Sequence, residues 1–380
     1  MYYNRPVDAA THRIRSGRVH VVEIPVTEVH SHGSGDVGAV KTILLELTTD
    51  TGITGWGEAS PWPVFTGTPE AVIGALKGYF LPAVAGRDAF DVEVLMAEAE
   101  KAVVGVSEAK AALETALLDI MGQALGVPMH VLLGGRHRDR VRLSFSIANP
   151  DFDEDFAKAE RLVADGVGIF KLKTGFTDHA FDLMRLEKLR ERFGDAVDLR
   201  IDFNQGLKAH EALPKLRDFE NFRLSFIEQP VPRDNLDAMA HFTDVLTTPV
   251  MADESVFNPR EALIGAEKRV ADIFSLKIMK SGGLRRALEV AAIARAAGIG
   301  VYGGCIFETG VAHAAGAHLM AALPELTLGC EFYMSTYYLT EDIISEPFPV
   351  SGGHVHVPTG PGLGVAVDRA KLDAYREHTF

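Results

Sequence analysis

With 380 residues the chain exceeds what one compact core supports, so two folded units are the default expectation. A hydrophobic fraction of 47% and a charged fraction of 24% are ordinary for a globular protein, and a net charge of −14 argues against nucleic acid or an anionic membrane as partner. The two cysteines, Cys305 and Cys330, exclude a disulfide scaffold and fit a reducing compartment.

The opening run MYYNRPVDAATHRIR has no apolar signal core, and no stretch reaches the ~18 apolar residues that a bilayer span requires. The expected location is therefore the cytoplasm, with residues 1–15 a loosely held tail. Residues 18–28, 40–50 and 54–60 read as strands of an antiparallel meander. HSHGSGDVG (30–38) and SPWPVFTGT (60–68) read as loops, the second carrying Trp62 and Phe65. Helical patterns follow over 69–84 and 89–137, so the first unit is an α+β domain over 1–138.

From VRLSFSI (141–147) the grammar becomes strand, helix, strand, helix. GIFKLKTG (168–175) carries Lys171 and Lys173 two apart, hence on one strand face. LRIDFN then ends at Asp202 and Asn204, FIEQP carries Glu228, VMADES carries Asp253 and Glu254, and FSLKIMK carries Lys277 and Lys280. From Lys173 to Asp202, Glu228, Asp253 and Lys277 the steps are 29, 26, 25 and 24 residues, one strand–helix unit each. GVYGGCIF (300–307) and LTLGCEF (326–332) complete eight strands with seven helices between them. The expected fold is an α/β barrel, a (β/α)₇β modified TIM barrel over 139–345, with chemistry at the carboxyl ends of its strands. The remaining 346–380 returns to the capping domain.

Three acids at three neighbouring strand ends repel one another unless a cation joins them. An oxygen-only set suits Mg²⁺ or Mn²⁺ better than zinc. Lys173 and Lys277 face each other across the mouth, where a second cation such as Lys171 lowers the pKa of a neighbouring lysine enough for acid/base work. Lys280 reads as a solvated loop residue or a phosphate-type contact rather than a catalyst. Glu331, in an apolar run, needs a lysine or a bound ammonium as partner, and Glu308 is either a substrate contact or the cap of the following helix.

The order Lys-x-Lys, Asp-x-Asn, Glu-x-Pro, Asp-Glu-Ser, Lys with a following Ser-Gly-Gly, and a final strand-eight glutamate resembles the enolase superfamily, in its muconate lactonizing enzyme (muconate cycloisomerase) subgroup. GWGEAS and TGPGLGV extend the resemblance over nearly the whole chain. It implies Mg²⁺ or Mn²⁺ on Asp202, Glu228 and Asp253. It also implies Lys173 and Lys277 as acid/base on opposite faces of the substrate, Lys171 tuning Lys173, and Glu331 contacting substrate or Lys277. The two early loops of the capping domain would choose the substrate, which places His30, His32, Trp62 and Phe65 among the candidate contacts, beside Asn204 and Glu308 at the ends of barrel strands. An even-numbered homo-oligomer is a further implication.

The subgroup shares α-proton abstraction through an enediolate and differs in overall reaction. CEFYMS at 330–335 departs from the Asp-x-Asp of dipeptide epimerases, and the polar first loop fits a small carboxylate bearing nitrogen or hydroxyl. The reading is racemisation, epimerisation or β-elimination of an amino-acid-like substrate such as a hydroxyproline or proline betaine. The alternatives are a muconate-type cycloisomerase and, from another class, a catalytically silent metal-binding barrel.

Overall fold

In a computed structural model the described residues are 11–32, 35–149 and 151–380, with the side chains of 29–32, 35 and 36 outside the description. Strands β1 (Ile14–His32), β2 (Gly35–Thr49) and β3 (Thr54–Ala59) form the expected meander. The segment read as a loop over 30–38 is mostly ladder: His30, Ser31 and His32 pair with Val37, Asp36 and Gly35. Of the expected tail, residues 1–10 lie outside the described residues. Ile14 is instead buried as the first residue of β1.

β3 alternates Gly55 and Gly57 against the Ser107–Leu125 helix. A Cβ at these positions would stand 2.3 Å from the Ala116 carbonyl oxygen and 1.9 Å from that of Ala112, so only glycine permits this approach. The intervening Trp56 N–H donates to Asp119 of the same helix at 2.9 Å.

The predicted strand 141–147 is two elements. β4 (Arg140–Arg142) pairs with a tail hairpin of β12 (Val350–Ser351) and β13 (His354–His356), whereas β5 (Phe145–Ile147) opens a parallel sheet. That sheet continues through β6 (Ile169–Lys173), β7 (Asp198–Asp202), β8 (Ile227–Glu228), β9 (Val250–Ala252), β10 (Ile273–Leu276) and β11 (Gly300–Gly303) in sequence order. Helices lie between successive strands, several entered through side-chain caps at Asp151, Asp178, Asn235 and Asn258.

The eighth strand, read over 326–332, shrinks to one pairing residue. Cys330 bridges Gly303 at one edge of the sheet and Leu143 beside the other, in parallel sense on both sides. Gly329 explains the brevity: its φ of +86° and a Cβ position 2.6 Å from the Arg142 carbonyl oxygen break the extended run. Phe226, Met251, Ile273 and Tyr302 pack together as a separate small core from strands β8 to β11. The final strand β14 (Arg376–Thr379) pairs with β1 of the capping sheet.

The Gly310–Ala322 helix is buried on every side and carries two buried histidines. Burial pushes His313 down to about 3 and His318 to about 4. Below pH ~6.5 the unfolded chain takes up these protons and the folded chain does not, so stability falls with acidification between there and pH ~4, by up to ~1.4 kcal/mol per pH unit for each group. His313→Phe, whose ring suits a site between Phe332 and Phe348, is expected to flatten that slope in urea titrations run at several pH values. An unchanged slope would refute the assignment.

Candidate active site

Parallel pairing sets the rim. Lys173 is in register with Asp202, and Asp202 with Glu228, while Asp253 and Lys277 directly follow β9 and β10. Lys171, one alternation deeper on β6, is only 1% exposed. Its Nζ lies 2.6 Å from Glu331 Oε1, 2.7 Å from Glu228 Oε2 and 3.3 Å from Asp202 Oδ2. Lys173 Nζ donates to Asp202 Oδ2 at 2.6 Å and to Asn204 Oδ1 at 2.8 Å. Across the mouth, Lys277 and Lys280 hold the two oxygens of Asp253, the latter at 2.8 Å. Asn204 Nδ2 also donates to Glu254 Oε1 at 3.2 Å.

Five carboxylates (Asp202, Glu228, Asp253, Glu254 and Glu331) thus meet four lysines in a buried space. Burial pushes the Asp202 carboxyl up, but Lys173 and Lys171 outweigh it and hold it at about 2. Asp253 is held well below the carboxylate range by Lys277 and Lys280 against the same opposition. Burial, then the charges of Asp253 and Asp202, lift Glu254 to about 7. For Lys171, burial favours the neutral amine, yet Glu228, Glu331 and Asp202 together raise it well above the usual lysine value. Glu228 is also drawn upward, by burial and then Asp202. The two directions oppose each other across one contact. The ammonium's is the firmer, because three carboxylates act on it and Glu228 answers to a single lysine.

Above the rim lies a small cleft lined by Lys171, Lys173, Asn204, Lys277 and Glu331, with Ser146, Cys305, Ile306, Tyr333 and Met334 completing the walls beside Trp62 and Phe307. Phe65 lies over the Lys277 ammonium, 4.5 Å from ring centre to Nζ, and stacks on Trp62 at 6.0 Å. Trp62 in turn meets the edge of Phe307 at 5.4 Å. The loop presenting this pair is a tight turn in which the Trp62 carbonyl accepts from the N–H groups of Phe65, Thr66 and Gly67.

Lys173, Lys277, Lys171, Asn204, Glu331 and Trp62 therefore share one cleft, and Asp202, Glu228 and Asp253 stand at its base through their lysine contacts. Four expectations change. The pKa of Lys277 is not lowered: burial opposes its charge, but Asp253 and then Glu228 outweigh burial and raise it above the usual lysine value. Glu331 meets Lys171 and Ser146 Oγ, the latter at 3.2 Å, rather than Lys277. Lys280 is not solvated; it is 2% exposed and bound to Asp253. Glu308 does not cap its helix, where Thr309 is the capping residue. It is buried beside the Ile306 N–H, and burial, then Glu58, lift it to about 8. The side chains of His30 and His32 lie outside the described residues.

Sequence reasoning did not mark Ser146, Cys305 or Tyr333. Ser146 was recoverable as the partner of Lys171 in the strand pairing, and Tyr333 as the position two beyond Glu331. Among the described residues no group of three histidine, cysteine, aspartate or glutamate side chains is arranged to hold a metal ion as it stands. Lysine nitrogens take up Asp202 Oδ2 and both oxygens of Asp253, and the Asn204 backbone N–H donates to Asp202 Oδ1.

Two family descriptions cover the chain. "Mandelate racemase / muconate lactonizing enzyme, N-terminal domain" matches residues 13–134, and "Enolase C-terminal domain-like" matches residues 154–371. The chain is 34% identical over 357 residues to L-Ala-D/L-Glu epimerase of Bacillus subtilis (strain 168), covering 93% of this chain and 96% of that protein. It is 34% identical over 371 residues to muconate cycloisomerase 1-2 of Acinetobacter lwoffii, covering 97% and 96%. A crystal structure of a muconate cycloisomerase from Azorhizobium caulinodans superposes with a TM-score of 0.87 at 47% identity, covering 97% of this chain and 99% of the other.

Proposed function

We propose that this chain, which belongs to the mandelate racemase/muconate lactonizing enzyme family of the enolase superfamily and is an enzyme of its isomerase kind, removes the α-proton of a small carboxylate between Lys173 and Lys277. The observation that carries this reading is that both ammonium groups line one cleft whose base is a set of buried carboxylates.

Asp202, Glu228 and Asp253 would hold Mg²⁺ or Mn²⁺. The donor set fits: all are oxygens, and Glu228 Oε1 is buried without a hydrogen-bond partner. When bound, the ion supplies positive charge that neutralises a substrate carboxylate and the charge it gains on proton loss. Lys173, as the neutral amine, takes the proton on one face and the Lys277 ammonium returns one on the other, while the Trp62–Phe65 turn keeps water from the carbanion. Lys171 neutralises Glu228 and Glu331 beneath them, and in this reading also tunes Lys173.

For the substrate we favour an amino-acid-like carboxylate, such as a hydroxyproline or proline betaine, undergoing epimerisation or dehydration. Because Glu331 is already balanced by Lys171, the substituted nitrogen would rest against the aromatic rings of Trp62, Phe307 and Tyr333 that line the cleft. Cycloisomerisation of a muconate-type diacid is the second reading, favoured by the likeness to the Azorhizobium caulinodans protein.

The proposed organisation is a capping domain over 1–138, a (β/α)₇β barrel over 139–345 closed through Cys330, and a returning segment over 346–380. We place the enzyme in the cytoplasm as an even-numbered homo-oligomer; among the described residues no helix is long and apolar enough to cross a membrane. Incubation in D₂O with a panel of proline derivatives, betaines and muconate tests the reading. Mass spectrometry should show α-deuterium in at least one amino-acid-like member, abolished by EDTA and restored by Mg²⁺. Loss of the muconate diene absorbance without exchange elsewhere would replace it with the second reading.

A further inference from the structure

We infer that Glu58, from strand β3 of the capping sheet, is a positioning residue for Lys277, acting through the loop 304–309 that separates them. This rests on the role proposed for Lys277 above. Glu58 is buried at 1% exposure, and its carboxylate reaches across to β2 and to the start of the Gly310–Ala322 helix. Oε1 accepts from the Thr309 N–H at 2.9 Å and from Thr42 Oγ1 at 2.9 Å. Oε2 accepts from Thr309 Oγ1 at 2.6 Å and from the Ala312 N–H at 2.9 Å. A capping-domain carboxylate therefore supplies two of the backbone acceptors at the first turn of the Gly310–Ala322 helix, where a negative charge is favoured, while Asp342 and Thr309 Oγ1 meet the Gly310 and Val311 N–H groups. Two residues on, Ser60 Oγ donates to the Phe307 carbonyl, so β3 grips the same loop twice.

The loop so held bears on the proton-transfer group. A Cβ at Gly304 would lie 2.7 Å from Lys277 Cε and 3.0 Å from its Cγ, which means the backbone at Gly304 already rests on the lysine stem. Cys305, Ile306 and Phe307 then form one wall of the cleft. Displacing this loop by a fraction of an ångström opens space for the Lys277 stem and moves its ammonium. Among the described residues nothing comparable connects Glu58 to Lys173, which is held by Asp202 and Asn204 on the far rim. The consequence is an asymmetric effect, on one lysine and not on the other.

The test compares full-length wild type with Glu58→Gln, which keeps the shape but loses one acceptor oxygen, and with the milder Thr309→Val. Hydrogen–deuterium exchange should rise about tenfold in peptides covering 304–316, the factor expected when a charge-assisted hydrogen bond at a helix start is lost. Peptides covering β6 and β7 should be unchanged. Acetylation by acetic anhydride, read as the ratio of label at Lys277 to label at Lys173, should shift in Glu58→Gln and, by less, in Thr309→Val. On whichever substrate the wild type exchanges, kcat should fall about tenfold with KM moving less, as for a misplaced catalytic group. Unaltered protection of 304–316, or an unaltered labelling ratio when protection is lost, overturns the inference. If wild type exchanges no substrate, the proposed function fails, while the protection and labelling results still decide the role of Glu58.

Discussion

Lys173→Met and Lys277→Met are each expected to lower α-proton exchange by about 10²–10⁴, but not in the same way. If the two lysines serve opposite faces of the substrate, each variant loses exchange of one stereoisomer and keeps a measurable rate on the other, because the surviving lysine still meets its own face. The experiment uses both stereoisomers of the active panel member and follows deuterium at the α-carbon by mass spectrometry. A cycloisomerase needs a single proton donor or acceptor for its turnover. Loss of turnover in one variant with near-normal rates in the other would therefore favour the muconate reading over epimerisation.

The second large effect is on stability. Lys171→Met leaves Glu228, Glu331 and Asp202 without the ammonium that now sits 2.6–3.3 Å from all three. Breaking a buried ion pair by removing one partner typically costs about 3–5 kcal/mol, and the urea midpoint should fall accordingly. Two dependences identify the cause. The stranded carboxylates would have raised folded-state pKa values, so the folded variant holds protons that the unfolded chain has released, and its deficit shrinks as pH drops toward 4.5, near the carboxylate range. Saturating Mg²⁺ should also recover part of the loss, since a cation that binds only the folded site stabilises it. A variant as stable as wild type, or a loss insensitive to both pH and Mg²⁺, would mean that Lys171 is not the counter-ion of the cluster.

Much of this architecture is legible from local pattern. A strand puts every second residue on one face, and a strand–helix unit consumes a nearly constant length. The march from Lys173 to Lys277 therefore announces both the parallel sheet and the rim. What the pattern cannot carry is which cation meets which acid. Glu331 was open to any positive group, and its choice of Lys171 depends on Cys330 placing it against β5 and β6. Lys280 looked solvated because Ser-Gly-Gly follows it, yet the short helix Ile278–Ser281 turns it back onto Asp253. The missing eighth strand is a backbone effect of Gly329 that an apolar run conceals. Glu58, within a recognisable motif, gave no hint that its partners lie at Thr309 and Ala312.

Those distances along the chain have a kinetic meaning. Glu58 and Thr309 are 251 positions apart, and the contact between His20 and Thr379, which secures β14 on the capping sheet, spans 359. Neither unit can complete itself from its own stretch of sequence. Loop-closure entropy must be met before such distant pairings give anything back, so refolding should be slow and limited by late, long-range docking, with helices and neighbouring barrel strands forming first. An excised segment 1–138 would lack the edge strand supplied by Arg376–Thr379 and expose one side of β1. The capping sheet is thus the part of the molecule whose folding waits longest for the rest of the chain.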